Sequence, residues 1–411
     1  YIIEPRTWFK NIKALKSGYY VRIKDGKIIS EMQWYDLNKN WISADKNKQR
    51  ISKKECNKII KNSLTSSVKK HLVSDVPIGI FLSSGVDSTL IAGIVSSNTK
   101  KKIIAITVSF ENFEGSENDE SIKAKKIAQK YGMEHHIYRV TQKDFQNDLP
   151  EILEAMDQPT IDGVNVWYAS KAAAKLKLKV VFSGVGGDEL FFGYNHFNSI
   201  PIVHNFFQFI RKIPVLFFLI NNLLKLFAVL KKDNRWKYIS KFSNSIIDLW
   251  LLKRTILTPI DIDEKKIQSN KISTNLFYKD IYDSIKGHKF YNLKLQIAQI
   301  ESIYYMRNQL LRDSDWASMY HGVELRTPFV DTELLENLKD VMNCYSSLNN
   351  KHSLKSSFKS ILPKDLISGK KMGFQTPIKE WTKNYKRNKN RIQNNDWLNY
   401  MEVVSNLYNK T

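Results

Sequence analysis

The 411-residue sequence is poor in cysteine, with only Cys56 and Cys344, which lie far apart. It has no Cys-x-x-Cys pair, so neither a disulfide framework nor a cysteine-based zinc site is indicated, and a reducing cytoplasm is the expected compartment. The composition is otherwise that of a globular protein, with 42% hydrophobic and 26% charged residues. A chain of this length can bury a large core and is expected to hold more than one domain.

Acidic residues are scarce relative to basic ones, and the formal net charge is +23. A charge of this size can indicate nucleic-acid binding. The lysines are nevertheless scattered along the chain, and the longest basic run is the lysine triplet at 100–102. We therefore expect no nucleic-acid partner, whereas a weaker attraction to acidic ligands or membrane surfaces is compatible with the charge.

Long uninterrupted apolar runs are also missing. The most apolar stretch, 213–230, contains Asn221, Asn222 and Lys225, so it falls short of the roughly 18–20 apolar residues that a membrane span needs. We expect a buried or interfacial helix pair here rather than a transmembrane segment, and contact with a membrane stays open. No signal peptide is visible.

Two common nucleotide-binding motifs are absent near the apolar run at 78–82. No Gly-Lys-Ser/Thr follows its glycine, and there is no Gly-x-Gly-x-x-Gly, which excludes a Walker loop and a Rossmann fingerprint. Instead, small and hydroxyl-bearing residues separate a predicted strand from a predicted helix that begins near Thr89. They are Ser83, Ser84, Gly85, Asp87 and Ser88.

This turn has the properties of a phosphate cradle. The N-terminus of a helix leaves backbone N–H groups unpaired and carries partial positive charge, and small residues let an anion approach closely. A carboxylate such as Asp87 would repel phosphates unless a cation intervened, so its presence implies Mg²⁺. The alternative is an ordinary strand-turn-helix in which a serine caps the helix.

Apolar runs at 78–82, 102–110, 134–140 and 177–182 predict four strands, and a helical pattern lies at 121–131. Alternation of strands and helices favours an α/β fold, a parallel sheet with helices on both faces. Ligands bind at the carboxyl ends of strands in such sheets, and polar turns follow the strand ends at Ser83, Ser109 and Ser183.

The remaining chain flanks this sheet. Residues 19–23 and 27–29 surround Asp25-Gly26, which predicts a β-hairpin, and residues 1–45 look like the last strands of a domain whose beginning is absent. Ser52 and Glu55 form a capping box that opens a helix over 52–72. After Tyr194 the pattern is helical, which predicts a helical C-terminal subdomain.

A second glycine-rich turn follows the predicted strand at 177–182, with Gly184, Gly186 and Gly187 preceding Asp188 and Glu189. Glycines allow the backbone to approach a ligand closely. With Asp87, Asp188 would place two carboxylates at neighbouring strand ends, which a Mg²⁺ ion bridging ATP phosphates requires. The alternative is acidic capping of the next helix.

These motifs resemble the synthetase domain of the glutamine-dependent asparagine synthetase family, whose fold is adenine nucleotide alpha hydrolase-like. Residues 83–88 resemble its Ser-Gly-Gly-x-Asp-Ser pyrophosphate loop, with Ser84 in place of glycine, and 183–194 match its Ser-Gly-x-Gly-x-Asp-Glu-Leu-Phe-x-Gly-Tyr loop. Further segments match in order, at 157–159, 312–331, 362–363 and 371–377. The resemblance implies a synthetase domain over 50–390 and makes 1–45 the remnant of an N-terminal Ntn-type glutaminase domain.

The resemblance implies that a carboxylate attacks the α-phosphorus of ATP, giving an acyl adenylate and pyrophosphate, and that ammonia then expels AMP. It also implies site residues. Leu82 and Val108 would lie near the adenine, Ser183 and Gly184 near the ribose and phosphate, and Asp87 and Asp188 would hold Mg²⁺. Lys371 would be the catalytic cation, whereas Asp315, Glu324 and Arg326 would be structural or face the substrate, with a buried Glu324–Arg326 ion pair as one reading.

Two departures from the family leave the identity of the substrate acid and the source of ammonia undecided. Many members carry an acidic residue at the position of Val185, where it can orient or deprotonate the attacking amine, and valine can do neither. Tyr1 is not the N-terminal cysteine of the glutaminase, so the chain as given is not expected to hydrolyse glutamine. A full N-terminal domain would instead supply glutamine-derived ammonia.

The expected function is asparagine synthesis from aspartate, ATP and ammonia, with a homodimer as the expected assembly. Amidation of another carboxylate such as a sugar acid, or closure of a lactam or peptide ring, is the alternative within the same chemistry. An RNA-modifying enzyme with this loop, or an inactive scaffold, is the alternative from another class.

Overall fold

The computed structural model describes residues 1–160, 162–231, 233, 235–255, 288–346, 351–368 and 376–381. The strands are β1 (Tyr19–Lys24), β2 (Lys27–Gln33), β3 (Ile78–Phe81), β4 (Ile104–Phe110), β5 (Glu134–Val140), β6 (Val180–Phe182) and β7 (Glu324–Arg326). The helices before β6 are α1 (Leu37–Lys46), α2 (Lys53–His71), α3 (Val86–Asn98), α4 (Ser121–Lys130), α5 (Gln142–Ala155) and α6 (Val164–Lys175).

Helices predominate after β6. They are α7 (Gly187–Leu190), α8 (His196–Ile210), α9 (Pro214–Lys231), α10 (Arg235–Phe242), α11 (Ile246–Arg254), α12 (Leu293–Ile300), α13 (Arg312–Met319), α14 (Thr332–Leu338), α15 (Met342–Ser346), α16 (His352–Ser357), α17 (Lys364–Ser368) and α18 (Ile378–Trp381). A π-helix, Glu301–Leu311, joins α12 to α13, so that the three form one continuous rod. The predicted helical subdomain is therefore present in the described chain.

The central sheet has five parallel strands in the order β5-β4-β3-β6-β7. Strand β3, which precedes the predicted phosphate cradle, is the central strand of this sheet. Its residue Ile80 pairs with Ala105 of β4 on one side and with Phe182 of β6 on the other. The four predicted strands are confirmed. The short fifth strand, β7, was not predicted, and it pairs Arg326 with Phe182 at the edge of the sheet.

Both faces of the sheet are covered, as the α/β prediction requires. Ile80 packs in one hydrophobic cluster with Leu90 of α3. Val181, on the neighbouring strand, packs in another cluster with Ala172 of α6. Because side chains alternate between faces along a strand, helices must lie on both sides to bury these apolar positions.

The predicted local signals are also found. Asp25 and Gly26 adopt φ values of +50° and +72° in the tight turn between β1 and β2. Ser52 caps α2, and its hydroxyl accepts a hydrogen bond from the backbone N–H of Glu55 at 3.2 Å. Left-handed φ angles suit a two-residue hairpin, and a serine cap satisfies an otherwise unpaired helix donor.

Residues 1–46 pack against the helical part of the chain. Trp41 is almost fully buried in the main core, and the buried carboxylate of Asp45 accepts hydrogen bonds from the backbone N–H groups of Tyr291 and Asn292 at 3.0 and 2.9 Å. These contacts fix α1 to the start of α12. The assignment of 1–45 to the end of another domain stays a prediction.

Helix α9 covers most of the apolar stretch singled out in the sequence. Among the described residues it is the one helix that is long and apolar enough to cross a membrane by length and composition. Ala228 is its one buried residue. The prediction of a helix pair in this stretch is wrong, because one continuous helix covers it, and that helix is mostly exposed rather than buried.

Candidate active site

The loop after β3 is folded on its own hydroxyl groups. Ser83 Oγ lies 2.8 Å from Ser88 Oγ, and the backbone N–H of Gly85 donates to Ser83 Oγ at 3.1 Å. Helix α3 then begins with Asp87 in its first turn. This arrangement places small residues and two hydroxyls at the positive end of a buried helix, as a phosphate-binding loop requires.

Ser84, which stands where the Ser-Gly-Gly-x-Asp-Ser motif has a glycine, is accommodated without backbone strain. It is not among the residues with positive φ, so a side chain is tolerated at this position. Burial raises the pKa of the Glu120 carboxyl, and the nearby backbone N–H and hydroxyl of Ser84 oppose that rise. Ser84 therefore lies close to the segment just before α4.

The loop after β6 packs directly against the first loop. A Cβ atom on Gly184 would lie 2.9 Å from Asp87 Cβ, and one on Gly187 would lie 2.6 Å from Asp87 Cγ. Separations this short leave no room for a side chain, so both positions need glycine. The backbone N–H of Ser183 donates to Arg326 O at 2.8 Å, which continues the sheet to the start of this loop.

The two predicted metal carboxylates meet at one cation. Lys351 Nζ contacts Asp87 Oδ2 and lies 2.6 Å from Asp188 Oδ1. The Lys351 side chain is only 7% exposed. Burial alone would lower the pKa of its amine, but the carboxylates of Asp87 and Asp188 outweigh burial and raise that pKa above its usual value.

Lys351 was missed in the sequence, where it lies outside every recognised motif. Its backbone has φ of +59°, a left-handed conformation immediately before α16. Gly193 lies against it, because a Cβ atom there would collide with both Asp188 and Lys351. With 64 lysine and arginine residues in the chain, charge alone offered no signal that could single it out.

Comparison with known proteins identifies the family of this chain. The family profile described as asparagine synthase matches residues 60–408. The chain belongs to the asparagine synthase family. Asparagine synthetase [glutamine-hydrolyzing] 1 from Bacillus subtilis is 27% identical over 393 residues, covering 93% of this chain and 58% of the relative. Amidase chyE from Penicillium rubens is 22% identical over 416 residues, covering 92% of this chain and 60% of that protein.

The chain thus spans about three-fifths of the length of these asparagine synthase relatives. Among solved structures, the NH3-dependent NAD synthetase from Campylobacter jejuni, in complex with nitrate, is matched over 59% of this chain and all of its own. Its identity is 15% and its TM-score is 0.24, a likeness too slight to support an argument. The asparagine synthase family uses ATP, and its shared chemistry is ATP-dependent amidation.

The predicted nucleotide contacts of this family lie at the same strand ends. Leu82 follows β3, and its backbone carbonyl accepts a hydrogen bond from Thr107 Oγ1 at 2.6 Å. Val108 lies in β4, and both side chains are largely buried. Gly184 borders Asp87 and Ser88, and Ser183 directly precedes it in the chain. Lys371, the predicted catalytic cation, lies outside the described residues, so its role stays a prediction.

The other three predicted residues are Glu324 and Arg326 of β7 and Asp315 of α13. Arg326 and Glu324 form an ion pair of 2.7 Å, but the Glu324 side chain is 58% exposed, so the expectation of a buried pair is wrong. Arg326 also donates to the backbone carbonyls of His71 and Val73, which anchors the end of α2 to β7. Asp315 lies on the exposed side of α13, and partial desolvation of its carboxyl together with the nearby charge of Asp157 raises its pKa.

A cavity of about 780 Å³ lies behind the second loop. Gly186 and Glu189 line one wall, and Tyr304 and Arg307 of the π-helix line another, facing residues of the N-terminal segment. Asp87 and Asp188 are not part of its lining. The cavity therefore adjoins the second loop without including the two predicted metal carboxylates.

Charged groups are buried beside this cavity. Tyr194 Oη donates to Glu189 Oε1 at 2.7 Å, and the guanidinium of Arg254 stacks 4.5 Å from the Tyr194 ring centroid. Burial raises the pKa of Glu189 to about 7, against the opposing effect of the Tyr194 hydrogen bond. Glu189 is thus a carboxyl that can exchange a proton near neutral pH, directly after Asp188.

We predict that Glu189→Gln removes a pH-dependent loss of stability. The folded chain keeps a proton on Glu189 between pH 4.5 and about 7 that the unfolded chain releases, so stability falls as pH rises through this window. A pKa rise from 4.5 to about 7 corresponds to about 3 kcal/mol. Glutamine copies the protonated form, so urea unfolding should show the variant more stable than the parent at about pH 8 and similar below the window.

The matched control is Glu336→Gln, which changes an exposed glutamate on α14. Its unfolding free energy should follow the parent at every pH, within about 0.5 kcal/mol. A Glu189→Gln variant whose stability keeps the pH slope of the parent would contradict the assignment of that slope to Glu189.

Proposed function

We propose that this chain carries the ATP-dependent amide-forming half of an asparagine synthase, with aspartate as the first candidate substrate. The single observation that carries the proposal is the convergence of Asp87, Asp188 and Lys351 beside the hydroxyl-lined loop at the carboxyl ends of β3 and β6. Parallel α/β sheets bind ligands at this edge. Family membership supplies the reaction class.

The residues of the loop would bind and orient the phosphates of ATP. Ser83 and Ser88 present hydroxyls, and the N-terminus of α3 presents backbone N–H groups to an anion. A substrate carboxylate oxygen forms a bond to the α-phosphorus as the bond to the pyrophosphate oxygen breaks. Lys351 supplies positive charge where charge develops on the leaving pyrophosphate.

The second half-reaction transfers the acyl group to ammonia. The ammonia nitrogen bonds to the acyl carbon, the bond to the AMP oxygen breaks, and the nitrogen loses a proton. Val185 offers no group that could accept this proton. Solvent or the substrate itself must take it, unless another carboxyl near the loop does so.

The carboxylates fit Mg²⁺. This ion is commonly held by one or two carboxylates together with phosphate oxygens and water, and Asp87 and Asp188 would provide those carboxylates. Among the described residues there is no group of three metal-binding side chains. When bound, Mg²⁺ would neutralise charge on the pyrophosphate.

The identity of the carboxylate is the finer part of the proposal. Aspartate is supported by relatives such as Asparagine synthetase [glutamine-hydrolyzing] 1. Another acid is supported by Val185 and by the similarity to Amidase chyE. We place the reaction in the cytoplasm, where ATP is supplied, and the glutamine-derived ammonia would come from an N-terminal domain of a longer protein.

The test measures AMP and pyrophosphate formed from ATP, Mg²⁺ and ammonium chloride, with aspartate and with a panel of other carboxylic acids. Omission of the acid and omission of ammonium are the controls. Product with aspartate would support asparagine formation, and product with another acid alone would keep the mechanism and change the substrate. Absence of AMP formation with every acid would contradict the proposal and favour an inactive scaffold.

A further inference from the structure

Helices α8 and α9 carry many apolar side chains that are exposed to solvent. On α9, these side chains include Val215 and Val229, which are 71% and 74% exposed. We call the whole set the outer apolar face. It consists of Ile202, Phe206, Phe209, Val215, Phe218, Leu219, Leu223, Leu226, Phe227, Val229 and Leu230.

The opposite side of α9 is attached to the rest of the fold. Asn221 Oδ1 accepts a hydrogen bond from Ser240 Oγ at 2.7 Å, and the ring of Phe217 lies 6.5 Å from that of Phe207. Ala228 is buried on the same side. Positions 217, 221 and 228 fall on one stripe of a helix, so α9 lies along the protein surface with its outer apolar face turned outward.

This attachment distinguishes a helix that spans a membrane from a helix that lies on its surface. A helix that crosses a bilayer on its own is apolar on all sides, whereas α9 is bonded to α10 through Asn221 in the middle of its length. A helix with one apolar face and a polar attachment lies in the interface plane instead. The attached geometry therefore suits a helix that rests on a bilayer rather than one that spans it.

The charge of this region has a single sign. Residues 190–232 contain five lysine or arginine residues and no aspartate or glutamate. Lys212, Lys225 and Lys231 are exposed at the start, middle and end of α9. Basic groups that flank an apolar face complement the negative surface of anionic lipids.

The same charge disfavours a second copy of the chain as the occupant. In a two-fold symmetric dimer each surface meets itself, so this region, which has basic but no acidic residues over 190–232, would face an equally basic region. Like charges at such an interface are repelled. A layer of anionic headgroups neutralises them and receives the apolar side chains at the same time.

We propose that the outer apolar face docks on the surface of a bilayer that contains anionic lipids and holds the protein there as an in-plane anchor. The proposal does not rest on the reaction proposed above. It predicts that an amidation enzyme built on this chain works at a membrane surface, beside substrates that are membrane-bound or made there.

The test is flotation of the full chain with two kinds of vesicle, phosphatidylcholine alone and equal parts phosphatidylcholine and phosphatidylglycerol. The apolar variant is Phe218→Ser/Leu223→Ser/Leu226→Ser, and the charge variant is Lys212→Gln/Lys225→Gln/Lys231→Gln. The matched control is Ile23→Ser/Ile28→Ser, which removes two exposed isoleucines from the β1–β2 hairpin. Circular dichroism melting checks that each variant folds.

We expect the parent and the hairpin control to float with the anionic vesicles. The apolar variant should bind at least about 10-fold more weakly, and the charge variant should lose the preference for anionic vesicles. Failure of the parent to float with either vesicle would overturn the proposal, as would equal binding by the apolar variant. A dimer seen by light scattering, lost in the apolar variant and without vesicle binding, would also overturn it and assign the face to a second copy.

Discussion

Lys351→Met should lower the rate of pyrophosphate release from ATP by at least about 100-fold, because the site loses the cation that touches both of its carboxylates. Asp87 and Asp188 would then repel each other and the phosphates, and the pKa of one of them should rise. The measurement is kcat and the KM for ATP with whichever acid supports the reaction. A fall in kcat that exceeds the rise in KM would indicate that Lys351 acts mainly in the transition state.

Lys355→Met is the matched control for this variant. Lys355 lies four residues further along, in α16, where its amine donates to the backbone carbonyl of Ile367 at 3.4 Å. Lys355→Met removes the same chemical group from the helix that begins directly after Lys351, and the rate of this variant should stay within about threefold of the parent. If Lys351→Met also retained a rate in that range while remaining folded, Lys351 would be a structural tie between the loops rather than a participant in the reaction.

Arg254→Met should destabilise the fold by about 3–5 kcal/mol, because it leaves a buried carboxylate without its partner. Glu301 is fully buried and receives two hydrogen bonds from Arg254, at 2.9 and 2.7 Å, and one from Trp250 Nε1 at 2.7 Å. Burial would raise the pKa of Glu301, but Arg254 and His196 hold it below its usual value. Without the arginine this carboxyl must take up a proton or remain charged in an apolar core.

Urea unfolding measures the effect, and two further variants interpret it. Lys253→Met removes an exposed basic residue next to Arg254 and should change the unfolding free energy by less than about 0.5 kcal/mol. The double variant Arg254→Met/Glu301→Gln should recover part of the loss, because it no longer buries a charge. A double variant as unstable as the sum of its two single changes would show that packing, not unpaired charge, accounts for the cost.

The elements that sequence predicted correctly are those set by local chemistry. The run from Ile78 to Ser88 combines a buried strand, a turn of small residues and the first turn of a helix, and each part follows from neighbouring residues. Polar turns at parallel strand ends then predicted that Asp87 and Asp188 would approach each other. Topology alone brings them together, since β3 and β6 are adjacent.

The elements that sequence missed depend on distant partners. Strand β7 is three residues long and exists because β6 offers it hydrogen bonds, a property that no local pattern reveals. Lys351 reaches the site through tertiary packing of α16, far along the chain from Asp87. The prediction of a buried Glu324–Arg326 ion pair was wrong for the same reason. The exposure of a residue on the edge strand β7 depends on which distant parts of the chain cover that edge, and the Glu324 side chain is exposed.

The order of strands in the sheet has a consequence for how the molecule is made. The centre strand receives its second neighbour only when residue 180 is available to pair with residue 78, and Lys351 closes the contact to Asp87 later still. A ribosome releases these parts in sequence, so a nascent chain carries an unpaired β3 edge throughout the synthesis of four further helices. Such long-range closures slow folding, and unpaired strand edges promote aggregation. The sheet edge that carries Asp87 and Asp188 is therefore completed late in synthesis, and the unpaired β3 edge needs protection until then.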